Sequence, residues 1–462
     1  MSGSITELIS RDEGKTLEFK RDASSPRPIL KSLIAFANSA GGRLVIGVDD
    51  EKRPVGVACP LDEEERLCNL IADSISPRLV PNIEMVTIDG KTLLVIEVFL
   101  SGSRPHWLNA EGVESGVYVR LGSSNRQADR ELIAELQRSV EGVAFDEMPM
   151  SELSLDDLEL TVAQQMFGEA RTLDEQTLLT LKLLTRDQGR LVPSKGAVLL
   201  FGKQRTFHFS DAWIQCGRFF GTKKIDIFDH IEIDEPLPKA VDEVMLFLKK
   251  HAYRGADLSE VRRKDIWSIP LGILREVIIN AVVHADYSQR GAPIRVVFLD
   301  DRIEIESPGI LLSGLTIEDM KQGTSRIRNY VIARVFRELH LIEQWGTGVR
   351  RIFEEAETLG LPEPKIEEIG MHLRFTVYLA KPHKISTDGG GAQSGAQSEA
   401  ILDALSDRAL SASELMVTLG LESKTGAFKR VIKELLEHKK IEYTIPDKPN
   451  SRMQKYRLVK SV

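Results

Sequence analysis

The sequence predicts an α+β protein of several domains, on three observations. Short β patterns alternate with helical ones over the first 140 residues, a longer mixed α/β segment follows, and a Gly/Ser/Gln-rich stretch then sets off a small basic tail. At 462 residues, with 42% hydrophobic and 28% charged content, the chain exceeds what a single core commonly organises.

In residues 1–140 the alternation in TLEFKRD predicts a strand with Leu17 and Phe19 on one face and Glu18 and Lys20 on the other. A helix over about 28–38 ends at the pair Gly41-Gly42, as helix C-caps commonly do, and the apolar strand RLVIGVDD then runs into the acidic turn Asp49-Asp50. EMVTID, TLLVIEVF and GVYVRLGSS predict further strands, and ELIAELQRSV a closing helix. Residues 150–380 read as helix-like patterns over 152–187, AVLLFG, AWIQCGRFFG and the helices PLPKAVDEVMLFLKKHA and LGILREVIINAVVHADY. Strands PIRVVFLDD and RIEIESPG, helices from about Asn329 and a last strand LRFTVYLA complete a sheet covered by helices on one side. Residues 381–398 have nothing to bury and read as a flexible linker. Residues 399–462 read as three helices and a β-hairpin, the pattern of a winged helix-turn-helix.

The net charge of −8 argues against wholesale coating by nucleic acid, so such binding must come from local basic surfaces. The tail is one: it carries 12 Lys and Arg against 9 Asp and Glu. Cys59, Cys68 and Cys216 are odd in number with no C-x-x-C spacing, which supports neither a disulfide framework nor a zinc site and makes a reducing cytoplasm the expected location. The first residues lack the pattern of a signal peptide, and no apolar run approaches the ~18 residues of a membrane helix, so no membrane partner is expected.

On the third tail helix Lys429, Arg430 and Lys433 lie beside the apolar positions Phe428, Val431, Ile432, Leu435 and Leu436, which should be buried. With Lys448 and Arg452 in the wing turn, these basic residues are the candidate nucleic-acid contacts. Centrally, Glu276 and Asn280 stand four residues apart and share one helix face. An ATPase without a P-loop could use such a pair, the Asn oxygen as a ligand for Mg²⁺ and the Glu to polarise water. Ser307-Pro308-Gly309 and Trp345-Gly346-Thr347-Gly348 place glycines where a phosphate can approach the backbone.

REVIINAVVHADY, IEIESPG, SRIRNYVIARVF and IEQWGTGVRRI, in that order within residues 190–380, resemble the ATP-binding module of RecG-like proteins, a divergent branch of the GHKL superfamily of gyrase, histidine kinases and MutL. The resemblance implies a GHKL-type α/β sandwich and ATP with Mg²⁺ as cofactors. It also implies Glu276 as general base, Asn280 as metal ligand, and Gly309, Gly346 and Gly348 in the nucleotide loops. This sequence departs from the superfamily where an Asp normally reads the adenine amine: Glu306, Ser307 and Pro308 stand there. His284 and Asp286 are expected to fill core or capping roles, and nothing in the chain reads as a helicase motor.

EFK followed by AFANSAGGRLVIGVDD and GVYVRLGSSNRQAD resembles the Schlafen AlbA-like domain over residues 8–140. That resemblance implies nucleic-acid binding and, in some animal members, a metal-dependent ribonuclease acting on tRNA or rRNA. The nuclease pattern falls on Glu13, Glu18 and either Asp49 or Asp50, with Asp50 favoured, as ligands for Mg²⁺ or Mn²⁺, and Lys20 beside the phosphate. Lys15, Arg21, Arg27, Lys31 and Arg43 could instead hold a nucleic-acid backbone without cutting it. The expectation is a nucleic-acid-binding, ATP-binding transcriptional regulator in which nucleotide occupancy modulates DNA or RNA engagement. The alternative is a Schlafen-type endoribonuclease of stress or phage defence. Homo-oligomers are compatible with either.

Overall fold

A computed structural model describes residues 2–168, 171–252, 254–257, 264–342 and 348–379, and a discontinuous set between 401 and 459. The chain forms two compact units, Met1–His383 and Lys384–Val462.

The first unit begins with a four-stranded sheet in the order Leu17–Lys20, Gly42–Ile46, Lys91–Val98, Asn82–Ile88. Its first two strands are parallel, so a crossover must join them, and the helix Pro26–Asn38 supplies it. That helix packs Ile29, Leu33, Ile34 and Phe36 against Leu44, Ile46, Leu94 and Ile96 on one face of the sheet. The other face, with Leu17, Phe19, Val45 and Val95, is covered by Ile5, Leu8 and Ile9 of a helix at Ser2–Ser10. Ile5, Leu8 and Ile9 fall on one face of that helix by their spacing. A Cβ on Gly42 would strike the Phe36 ring at 2.6 Å, so only glycine lets the strand start this close to the helix. The hairpin Tyr118–Leu121/Ser124–Gln127 and the helix Arg130–Glu141 close this part; Asp129 caps the helix by accepting from the Leu132 amide.

The larger part of the unit is built on a six-stranded sheet in the order Ile227–Ile233, Ile214–Phe219, Ile294–Phe298, Arg302–Pro308, His372–Tyr378, Lys365–Ile369. Alternate residues Ile214, Cys216, Val296, Phe298, Ile303, Ile305, Phe375 and Val377 face one core with the helices Lys195–Phe201, Leu237–His251, Leu271–His284 and Tyr330–Glu338. The opposite face carries ion pairs, Arg302 with Glu304 at 2.7 Å and Lys224 with Glu306 at 2.9 Å. One-sided helical cover is therefore present. The helix-like stretch 152–187 is corrected: after the helices Leu160–Phe167 and Glu175–Thr180 it turns into the hairpin Leu184–Asp187/Arg190–Pro193. Gln188 and Gly189 at the turn both have positive φ, 47° and 80°, the geometry of a two-residue hairpin loop.

Asp146 ties the first part to the second. Its fully buried carboxylate accepts the Val331 and Ile332 amides, at 2.7 and 3.0 Å, at the start of the Tyr330–Glu338 helix. Burial pushes its pKa up to about 7, against the opposing pull of those amides. The folded chain therefore holds a proton that the unfolded chain has released by pH 5. The stability this proton contributes is complete below about pH 4 and is lost as pH rises through 7. Urea midpoints measured from pH 4 to 8 are expected to fall across that window, and Asp146→Asn, which keeps an accepting oxygen, is expected to flatten the slope.

In the second unit Ile401, Leu405, Leu410, Leu415, Val431, Ile432, Leu435 and Ile441 form a small core beside the helix Ala412–Thr418. Ile441–Tyr443 pairs antiparallel with Tyr456–Leu458. Three positions of the expected buried stripe, Val431, Ile432 and Leu435, are thus in that core. Lys429, Arg430, Lys433, Lys448, Arg452, Phe428 and the linker 381–398 lie outside the described residues.

Candidate nucleotide cavity

The helix Leu271–His284 buries Ile273, Leu274, Val277, Ile278, Ile279 and Val282, yet carries Glu276, Asn280 and His284 at four-residue intervals. That spacing makes a polar stripe on an otherwise apolar helix. It lines a cavity of about 470 Å³, closed by Ser307 and Gly309 at a strand end and by Gly348 and Arg351 at the start of the Gly348–Thr358 helix. The volume lies in the usual range for small-ligand sites, ~300–1,000 Å³. The cavity thus brings together Glu276, Asn280, Gly309 and Gly348; Gly346 lies outside the described residues.

Asn280 Nδ2 donates to Glu276 Oε1 at 3.1 Å, which leaves the Asn280 oxygen without a hydrogen-bond donor among the described residues. Arg351 reaches Glu276 Oε2 at 3.2 Å, so both carboxylate oxygens are engaged. A Cβ on Gly348 would fall on the Glu276 carboxylate, so any other residue here would push that side chain aside. Gly309 has φ of +102°, and its amide donates to the Met371 carbonyl at 2.8 Å. Its amide is therefore not free for a phosphate, a correction to the role expected of it, and its missing Cβ lets Arg328 and Asp286 approach, at 3.0 Å from where that atom would stand. Glu306 points to the opposite face of the sheet, onto Lys224 and Arg374, and of the three residues at the adenine position only Ser307 reaches the cavity wall. Burial and the nearby charge of Arg328 hold His284 at about 4, so it is neutral at pH 7. Asp286 accepts from the Ser288 amide at 3.1 Å, a turn-capping role. Arg351 was missed because its partner lies 75 residues away, although VRR directly after a glycine was a visible cue.

The carboxylates of the first part do not converge. Among the described residues no group of three or more His, Cys, Asp and Glu is placed to hold a metal. Glu13 accepts the Phe19 amide at 2.7 Å, capping the open edge of the sheet. Glu18 is buried and binds Arg120 at 2.6 Å through Oε2 and Lys20 at 2.6 Å through Oε1. Asp49 is buried in its own turn, accepting the Arg53 amide at 2.8 Å, and Asp50 is exposed. The expected metal set of Glu13, Glu18 and Asp50 is therefore not brought together: Glu18 is held by Arg120 and Lys20, Glu13 by the Phe19 amide, and Asp50 stands exposed. Lys20, expected beside a phosphate, is held by Glu18 in the same way. Several of the basic residues are engaged too, Lys15 with Glu368 at 2.7 Å and Arg43 with Glu97 at 2.8 Å, while Arg27 pairs with Glu111. Arg21 is exposed.

Residues 13–129 match the family model "Schlafen, AlbA_2", and residues 291–379 match "Putative ATP-dependent DNA helicase recG C-terminal". The chain thus carries an AlbA_2-type domain and a RecG C-terminal-type module. Residues 396–459 match a third model, the C-terminal domain of Fic-like proteins, "Filamentation induced by cAMP". The N-terminal domain of a RecG-related protein from Nitrosomonas europaea, solved by NMR, is 32% identical over 27% of this chain and 90% of that one, with a TM-score of 0.23. A crystal structure of a protein from Corynebacterium diphtheriae covers 99% of both chains at 18% identity, with a TM-score of 0.41. No curated protein matches the chain. The two matched domain types are those of nucleic-acid-associated, ATP-binding proteins. No helix among the described residues is long and apolar enough to cross a membrane.

The RecG-type match takes in Ser307, Gly309 and Gly348 but stops short of the Glu276–Asn280 helix, whose place in the site rests on geometry. The AlbA_2 domain touches the same cavity wall from outside. Residues 309–315 run from the cavity to that domain, where Ser313 Oγ donates to the Asn38 carbonyl at 2.8 Å and the Gly314 amide to the Ser39 carbonyl at 2.5 Å. Arg328 lines the cavity and binds Glu135 of the Arg130–Glu141 helix at 2.6 Å.

Proposed function

We propose that this chain is a nucleic-acid-binding transcriptional regulator that takes ATP with Mg²⁺ in the Glu276–Asn280 cavity and couples its occupancy to the AlbA_2 domain. The observation that carries the reading is the Asn280 oxygen, which accepts no hydrogen bond among the described residues, on the wall of a cavity of about 470 Å³. Asn280 would hold the magnesium ion, which when bound supplies charge to the phosphates. Glu276 would orient a water, but its contact with Arg351 restrains it from acting as a base. Binding is therefore the primary event and turnover the slower one.

Residues 309–315 and the Arg328–Glu135 pair give the cavity a direct mechanical route to the AlbA_2 domain. The basic tail, as a winged helix, adds a second nucleic-acid contact in this reading. The test is reciprocal: a coupling free energy acts equally in both directions. Saturating Mg²⁺-ATP is expected to change the affinity for a short oligonucleotide at least about fivefold, the lower end of common allosteric coupling, and the oligonucleotide to change ATP affinity by the same factor. Affinities that ignore the other ligand would contradict the regulatory part while leaving nucleotide binding intact.

A further inference from the structure

A second cavity of about 430 Å³ sits on the seam between the AlbA_2 domain and the RecG-type module. It is lined by four arginines, Arg104, Arg138, Arg326 and Arg328, against two carboxylates, Glu135 and Asp286. Both carboxylates face Arg328, at 2.6 and 3.9 Å. The other three arginines make no ion pair among the described residues, although the Arg138 charge also acts on Glu135. Neutral acceptors hold two of them: Arg104 donates to Ser139 Oγ at 3.2 Å and to the Ser101 carbonyl at 2.6 Å, and Arg326 to the Ser313 carbonyl at 2.7 Å. Arg138 lies over the Phe145 ring at 5.4 Å.

Packing like charges round one partly enclosed space is costly unless an anion enters it. Arg104 registers that cost, since burial and the charge of Arg326 both hold its pKa below the usual value. Guanidinium groups fixed by neutral acceptors are pre-organised for the planar, two-pronged recognition of phosphate oxygens.

We propose that the Arg104–Arg138–Arg326 seam is a second binding site, distinct from the nucleotide cavity, that takes a phosphate group. The group is carried either by a free phosphorylated compound or by a nucleic-acid backbone. Arg104 and Arg138 line only this cavity, whereas residues 325–328 wall both. Replacing the first two therefore separates the seam from the nucleotide site.

The test is calorimetric titration of the full chain with inorganic pyrophosphate and, separately, with a short single-stranded oligonucleotide. Arg104→Ala/Arg138→Ala is expected to weaken pyrophosphate at least tenfold while ATP affinity and the Asn280→Ala response stay as in the parent. If the backbone is the source, pyrophosphate binding is absent, the oligonucleotide weakens instead, and its salt slope drops by about 1.4, the share of two phosphates on a single strand. Arg104→Lys/Arg138→Lys keeps the charge but not the two-pronged geometry and is expected to bind between the parent and the alanine variant, while unchanged ATP affinity in both variants separates a binding loss from misfolding. Unchanged affinity for both probes in the alanine variant, or a pyrophosphate loss seen only in Asn280→Ala, would overturn the proposal.

Discussion

Asn280→Ala is expected to weaken Mg²⁺-ATP binding at least tenfold, a loss of about 1.4 kcal/mol or more. The side chain gives its amide hydrogen to Glu276 and keeps its oxygen for the cavity, so alanine removes a metal ligand and also frees Glu276 to pair wholly with Arg351. The loss should be conditional: with the metal chelated, parent and variant are expected to bind ATP alike, because the residue acts through the ion. Buried neighbours Val277 and Ile279 are untouched, so the melting temperature should barely move. Equilibrium titration with and without chelator checks both statements. Equal affinities in Mg²⁺ would remove Asn280 from the site.

The largest stability effect is expected at Arg120→Ala, about 3–5 kcal/mol from breaking a buried ion pair on one side. The Arg120 side chain is 1% exposed and its Glu18 partner 7%. The same guanidinium also bonds the Gly14 carbonyl at 3.0 Å and Asn125 at 2.9 Å, so it pins the Tyr118–Leu121 hairpin to the start of the sheet. Truncation leaves a buried carboxylate facing only Lys20 and strands two acceptors. Urea denaturation measures the loss. Removing both charges, as in Glu18→Leu/Arg120→Met, is expected to recover much of it, because two apolar groups replace a matched pair. An undiminished midpoint in Arg120→Ala would show that Glu18 does not need its arginine, and would return it to the pool of candidate metal ligands.

Much of the fold was legible because its periodicities are clean. LVIGV and TLLVIEV could only be buried strands, and the glycine pair after AFANSA marks the helix end that leads into the parallel pair. The hairpin at Gln188-Gly189 was missed by reading apolar spacing over 152–187 without weighing a turn that needs two positive-φ residues. In the cavity, Glu276 and Asn280 were readable since four residues along a helix bring two side chains together whatever surrounds them. The Arg351 contact and the Glu18–Arg120 pair were not, because partners 75 and 102 residues away meet only in the completed fold. The three-carboxylate reading failed for the same reason: spacing places Glu13 and Glu18 near one another but says nothing of the arginine that arrives from a later strand. Local charge counts misled similarly, since Lys15 and Arg43 look free in sequence and are paired in space.

Amide hydrogen exchange of the full chain with and without Mg²⁺-ATP tests the central claim most directly. The account predicts slowed exchange over Leu271–His284 and residues 307–328, the walls of the cavity, together with a change at the Asn38 end of the AlbA_2 domain that residues 309–315 touch. Exchange that is unchanged over these segments at saturating ATP, or protection confined to other parts of the chain, would contradict it.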